Sequence, residues 1–334
     1  MRVVALLIVG LSLSTSLLAQ ELVLTPMAES FCKPGVTNKS PGKGLLISYF
    51  ARPQFDFTTN SEETSAKSRA GINDRLNFKL KIPIINKDGF KFLIGGAHMR
   101  EEYEFSQIEG RPTEIFTSIN DVSLKTSRIA AYFLKSINSR YYATLKLEAS
   151  YNGDYDNLIS FENRYAIYRG AVLVGYKKRA DTEWGFGAMF SKGFRRTALY
   201  PFLMYNKTFN DRWGLESVLP VKIDMRYNIS RKNMVLFGAQ FNSRSYSIDV
   251  LEGSAATQNI YHMRSAEIQL AAEFKQQLSN WVWCEVRGGY ARNLTSRFDQ
   301  ITPVRQRNVV TANPSSGPFL QFGIFVSPPR DCDR

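Results

Sequence analysis

The residues of this chain with the most chemical potential are charged side chains set at every second position. Arg75, Lys79 and Lys81 alternate with Leu76, Phe78, Leu80 and Ile82, and Arg140, Lys146 and Glu148 with Tyr141, Leu145 and Leu147. Glu267, Glu273 and Lys275 alternate in the same way with Ile268, Leu270, Ala272 and Phe274, and further charges at comparable positions are Arg52, Asp56, Lys222, Asp224, Arg226, Glu285 and Arg287. A charge held away from bulk water is costly unless it is paired, so such a set must either neutralise itself or border water. Cations outnumber anions among these residues. Two readings stay open: a water-filled interior that mildly favours anions, or an interior closed by ladders of ion pairs.

Other chemistry is sparse. The chain has no His-Glu-x-x-His, no Gly-x-Ser-x-Gly and no phosphate-binding glycine loop, and its two histidines, His98 and His262, stand apart from any nucleophile. Neither catalysis, nor a metal centre, nor a cofactor is expected. The acidic groups Glu62-Glu63, Glu101-Glu102 with Glu104, and Asp154 with Asp156 lack the ligand spacing of a calcium loop and read as solvated charge. Of three cysteines, Cys284 lies on an apolar phase and reads as a buried, inert thiol, while Cys32 and Cys332 stand near the two ends of the chain.

A period of two is the period of a strand, whose side chains point alternately to opposite faces. Fourteen segments carry it: 45–57, 76–84, 89–105, 122–134, 141–151, 165–176, 183–190, 198–205, 213–219, 221–227, 235–246, 266–274, 281–290 and 319–326. The phase of the fourth changes near Ser127, which points either to a bulge or to a segment that is not a strand. Short turns such as Asn86–Gly89, Ser136–Ser139 and Asn228–Lys232 alternate with longer polar stretches at 58–74, 106–121, 152–163, 248–261 and 293–317. That alternation predicts an antiparallel up-and-down transmembrane β-barrel, with short periplasmic turns and longer extracellular loops. Splitting 213–227 at Pro220 keeps every short turn on one side and gives about fourteen strands; twelve result if two weak segments merge. A β-sandwich also alternates apolar with polar. Aromatic residues near the ends of the apolar faces, such as Tyr141, Tyr151, Tyr176 and Trp213, favour a membrane–water interface instead.

Composition agrees with an ordered chain. Of 334 residues, 44% are hydrophobic and 22% charged, and 43 Lys and Arg against 30 Asp and Glu give a net charge of +13. The start reads as a secretory signal: Met1-Arg2, an apolar Val3–Leu11, then a smaller, partly polar Ser12–Ala19. No later run approaches the roughly 18 apolar residues of a membrane helix. The expected organisation is a signal peptide at 1–20, a periplasmic segment at 21–43, the barrel at 44–327 and a periplasmic tail at 328–334. Export leaves nucleic acid a poor partner for the basic charge.

The block Asn210-Asp211-Arg212-Trp213-Gly214-Leu215-Glu216, followed by Leu219-Pro220 and Asp224-Met225-Arg226-Tyr227-Asn228-Ile229-Ser230, is the most particular stretch. It resembles a family of bacterial outer-membrane β-barrels of unassigned function, in which a turn, a Trp-Gly-Leu-Glu strand and a Leu-Pro step recur. The resemblance implies the outer membrane of a Gram-negative cell and supplies no catalytic or ligand residue. Such barrels commonly end on an aromatic residue read by the insertion machinery, whereas this chain continues past Phe325-Val326 to Arg334.

The function expected is a passive channel for small solutes with a mixed-charge, slightly basic lumen. The alternative is a non-conducting barrel whose extracellular loops bind a ligand or partner. Expected partners are outer-membrane lipid and lipopolysaccharide, the barrel-insertion machinery and small solutes. First and last strands of a closed barrel are neighbours and the periplasm is oxidising, which brings Cys32 and Cys332 within reach of one another. Non-reducing mass mapping is expected to recover a Cys32–Cys332 disulfide peptide; two free thiols would refute the pairing.

Overall fold

The computed structural model describes residues 36–327 apart from 62–63, 88, 112, 121, 195, 253–256 and 302–308. The expected signal peptide, Cys32, Cys332 and the 328–334 segment lie outside the described residues. Sixteen strand segments form a single sheet. They are β1 (Leu45–Arg52), β2 (Phe55–Asn60), β3 (Ser65–Lys87), β4 (Phe90–Gly110), β5 (Leu124–Ser136), β6 (Tyr141–Gly153), β7 (Ala166–Arg179) and β8 (Thr182–Gly193). The chain goes on through β9 (Arg196–Thr208), β10 (Trp213–Leu219), β11 (Lys222–Asn228), β12 (Asn233–Glu252), β13 (Thr257–Gln277), β14 (Val282–Gln300), β15 (Val309–Pro314) and β16 (Gly317–Val326). One short helix, α1 (Glu114–Asn120), joins β4 to β5.

The sheet closes. β1 pairs with β16 on one side and β3 on the other, and β16 pairs with β14, so fourteen antiparallel strands make a ring. The two remaining segments are upper continuations of its seam. β1 breaks at Pro53-Gln54 and resumes as β2, and β15 breaks at Ser315-Ser316 before β16, with β2 and β15 paired to each other. Closure leaves no open edge around the ring, which is what a sheet needs in hydrocarbon, where an unpaired backbone group has no water to bond.

Each strand turns apolar side chains outward in a belt. Leu76, Phe78, Ile82, Leu147, Phe186 and Leu270 are all exposed. At the short-turn end the belt is edged by aromatic rings: Tyr141 lies 4.9 Å from Tyr176, Tyr176 5.6 Å from Trp184, and Trp213 4.7 Å from Tyr227. Such rings suit the interface, because an apolar body and a polar tip are both satisfied there.

The seven-residue strands β10 and β11 set the shape of the upper barrel. β9 has no β10 partner before Leu203, and β12 runs on for twelve residues beyond its last paired position against β11, Gln240. Freed on that side, the β12–β13 hairpin leans into the barrel until Ser247 bridges to Gly153 on β6. Both its faces become buried. Phe241 packs with Tyr200, Phe202 and Val221, while Tyr246, Ile248 and Val250 join Phe57, Phe105 and the α1 residues Ile115, Phe116 and Ile119. An apolar core therefore fills this part of the end opposite the short turns.

Three expectations need correction. Most of the stretches read as long loops are strand: β3 starts at Ser65, β4 runs to Gly110, β12 and β13 cover most of 248–261, and 293–317 is largely β14, β15 and the start of β16. Above the lipid the outward face can be polar without penalty, so the apolar alternation fades while the ladder continues. Ser127 marks no bulge, since β5 pairs in unbroken register with β4 and β6. Its outward hydroxyl is instead covered by the 154–162 connection, donating to the Leu158 carbonyl at 2.7 Å and accepting from Tyr155 at 2.9 Å. Cys284 is a free thiol on the outward phase of β14, but it is half-buried rather than buried, because the outer belt has no second protein layer over it.

A charge on the outer belt should unfold the barrel more readily than one at the rim. Leu147→Arg is expected to cost about 2–4 kcal/mol in denaturant unfolding from lipid vesicles, against about 0–1 kcal/mol for Thr197→Arg near the rim.

Candidate functional site

The inward phase of the strands builds a lumen with three polar tiers. In the upper tier, Glu101 on β4 is fully buried and receives bonds from Tyr103 (3.0 Å), Tyr246 (2.7 Å) and Asn73 (3.2 Å). Arg244 on β12 stands 3.3 Å from it and also pairs with Glu267 on β13 at 3.1 Å. Arg75 on β3 reaches both carboxylates, at 3.9 and 3.8 Å, and lies 3.4 Å over the Phe50 ring. Arg52 donates to the Ser315 carbonyl at the seam and lies over Phe55. The inward lean of β12 makes this tier possible, because it carries Arg244 and Tyr246 across the lumen to β4.

In the middle tier, Glu148 on β6 accepts from Lys146 at 2.7 Å and Arg169 at 2.8 Å and stands 3.4 Å from Arg128. Lys79 and Lys81 on β3 face the same space, with Lys81 lying 4.3 Å over the Tyr132 ring. Across the lumen, Lys222 pairs with Asp224 at 2.6 Å and Lys275 with Glu273 at 3.5 Å. Arg287 lies 5.5 Å over Phe319.

The lower tier is made by the chain ahead of β1. Residues 36–43 lie within the mouth at the short-turn end of the barrel, with Val36, Lys39, Ser40 and Pro41 buried. Ser40 donates its N–H and hydroxyl to Glu216 at 2.9 and 2.6 Å, and Arg226 holds the same carboxylate at 3.0 Å. The Thr37 N–H donates to the Ala180 carbonyl, and the Thr37 carbonyl accepts from Thr208. Lys43 reaches Glu285 at 2.8 Å. Burial pushes the Lys39 ammonium below its ordinary range, opposed by Glu183 and Glu216.

At the opposite end, Arg164 donates to both Asp249 oxygens at 3.0 Å, and the Asp249 N–H donates to Asp154 at 2.6 Å. This ties the leaning hairpin to the connection between β6 and β7. Burial holds the Asp154 carboxyl above the usual carboxylate range.

Most residues named from the sequence point inward: Arg52, Arg75, Lys79, Lys81, Lys146, Glu148, Lys222, Asp224, Arg226, Glu267, Glu273, Lys275, Glu285 and Arg287 lie on the inward phase of their strands. Two do not. Asp56 is exposed on the outer face, because the Pro53-Gln54 break reverses the phase between β1 and β2. Arg140 is exposed in the turn between β5 and β6. Glu101, expected to be solvated, is instead the centre of the upper tier, since it lies on the inward phase of β4. Sequence reasoning also missed Arg128, Arg169, Glu216 and Arg244, and it missed that Leu173, Met189, Tyr200, Phe202 and Met204 give part of the lumen an apolar lining. The signal for the lining was present: 198–205 is apolar on both phases. Glu102 and Glu104 face the outside, where they line a rim recess of about 440 Å³ with Asp74, Arg100 and Ser123. No cluster of three or more metal-ligating side chains occurs among the described residues.

A family profile described as a domain of unknown function, DUF6268, matches residues 44–300, which is most of the ring. The chain belongs to that family. No curated protein matches. Among solved structures, it is similar to a FadL homologue of Pseudomonas aeruginosa (9% identity, 85% of this chain and 89% of that one, TM-score 0.41). It is also similar to the toluene transporter TodX of P. putida (9%, 86% and 90%, 0.35) and to the translocator domain of the autotransporter NalP of Neisseria meningitidis (11%, 86% and 90%, 0.25). With TM-scores this low, the barrel rests on the strand pairing of the chain itself.

The upper tier makes a sharp stability prediction. Glu101→Gln leaves Arg75 and Arg244 buried with Glu267 as their shared carboxylate, and is expected to cost about 3–5 kcal/mol in denaturant unfolding. Arg244→Met with Glu101→Gln should recover a large part of that loss.

Proposed function

We propose that the chain is an outer-membrane barrel of a Gram-negative bacterium, exported on its first twenty residues, that passes small solutes through a gated lumen. The lumen is mixed in charge and slightly basic. Its surroundings are outer-membrane lipid and lipopolysaccharide, and β16 offers the insertion machinery Phe322 to Val326 as an internal signal. One observation carries the reading: the periplasmic mouth is occupied by the chain's own residues 36–43, held through the Ser40–Glu216 bonds. That seat consists of individual hydrogen bonds and ion pairs rather than a β-ladder. Each such bond is worth about 1–3 kcal/mol, so the segment can leave without disturbing the ring. The Arg164–Asp249 pair is a comparable latch at the opposite end.

The alternative reading, a non-conducting barrel that binds a ligand through its loops, differs in one measurable respect. In planar bilayers the wild-type barrel is expected to be nearly silent, and Ser40→Glu with Asp249→Ala to conduct in steps. The first substitution sets a like charge against Glu216, and the second removes the carboxylate through which Arg164 holds the β12–β13 hairpin. Silence from this variant, shown to be folded, would transfer the case to the alternative. The seat also depends on pH. Because the seated Lys39 has a lowered pKa, its contribution is complete above the ordinary lysine value and is lost as pH falls through the lowered one. Wild-type opening should therefore decrease as pH is raised toward 10.5.

A further inference from the structure

Among the described residues the middle tier carries more cations than carboxylates. Arg128, Lys146 and Arg169 all converge on the single carboxylate of Glu148. Lys79 faces Arg128, Lys43 and Lys146, and the carboxylate it faces, Glu285, is already engaged by Lys43. Burying cations together is costly, and a structure carries that cost readily only where something negative shares the space.

The register sets these cations in rows on neighbouring strands. Lys79 on β3 pairs with Ala97 on β4, which pairs with Arg128 on β5. Two long cations are thus set in one row with a methyl group between them. In the next row Lys81 pairs with Gly95, and a Cβ added at Gly95 would come within 3.0 Å of the Tyr132 ring and 3.5 Å of the Lys81 stem. Gly95, with no side chain of its own, leaves the space in which Lys81 lies over Tyr132. Lys79 and Arg128 are only half-buried, so the space over Ala97 opens to the lumen.

We propose that this recess is a binding site for a small oxyanion, held between Lys79 and Arg128 over Ala97 with Lys146 behind it. The inference deepens the solute-channel reading and rests on it, because it names a small oxyanion as the class of solute the lumen selects. The cations come from β3, β5 and β6, three strands of a closed sheet, so the site is preformed and needs little reorganisation on binding.

The test uses the full-length protein folded in detergent, with inorganic phosphate as the probe and chloride holding ionic strength constant. Calorimetry is expected to show saturable phosphate binding. Lys79→Gln should weaken it about tenfold, the loss of one charged hydrogen bond. Ala97→Leu, which fills the recess and keeps every cation, should abolish it, and Lys192→Gln on the outer face should leave it unchanged. Heat-modifiable migration confirms that each variant is folded. Absence of saturable binding in the wild type, or wild-type affinity in both Lys79→Gln and Ala97→Leu, overturns the site. Saturable binding by a barrel that never conducts retains the site and overturns the permeation reading; conduction without saturable binding does the reverse.

Discussion

The structure depends on one constraint: in hydrocarbon every backbone N–H and C=O must find its partner within the protein. A sheet meets that demand by closing, and closure sets most of the architecture. It brings β1 beside β16 and forces the two ends of the ring to the same side. It also fixes which side chain lies opposite which around the ring. Where the chain relaxes the constraint, at the short β10–β11 hairpin, the neighbouring strands respond: the upper part of β12 stays paired with β13, and the hairpin bends inward to bury the side it would have shared.

Closure also creates an interior, and the chain fills it in two chemically different ways. Part of the end opposite the short turns is packed with Phe57, Phe105, Phe116 and their neighbours, as in a soluble core. The remainder holds ion pairs whose partners come from different strands, such as Glu101 with Arg244 and Glu216 with Arg226. Each pair offsets a desolvation cost that neither residue could bear alone. The two solutions are linked, because the lean of β12 that completes the apolar core is the same movement that delivers Arg244 to Glu101. Anchoring of residues 36–43 has a similar logic. Ser40 completes the coordination of Glu216, a carboxylate already committed to Arg226, so the mouth is occupied without an additional buried charge on the wall.

Much of this architecture was legible in the sequence. The period of two in 76–84, 141–151 and 266–274 identified both the strands and their faces, since an alternating charge can only point away from lipid. Dividing 213–227 at Pro220 yielded the number of strands that the ring contains, because an even count is needed for both ends to lie on one side. The features that stayed hidden have physical causes as well. Above the lipid belt an outward residue can be polar at no cost, so β3, β4, β12, β13 and β14 continue where apolar alternation has stopped. A two-residue break such as Pro53-Gln54 reverses a phase without altering composition, which is how Asp56 came to face outward.

By itself, then, the sequence determined the class of fold, the strands and the inward direction of most charges, because these depend on local periodicity and a single polar–apolar boundary. The tertiary structure alone decided which charges meet, that residues 36–43 occupy the mouth, and that β12 and β13 cross the lumen. Those outcomes depend on contacts between residues far apart in the chain: Ser40 and Glu216 are 176 positions apart, and Tyr246 and Glu101 are 145. No local pattern encodes such a meeting. It is fixed only when the ring closes at a particular register and the short hairpin leaves β12 free to bend.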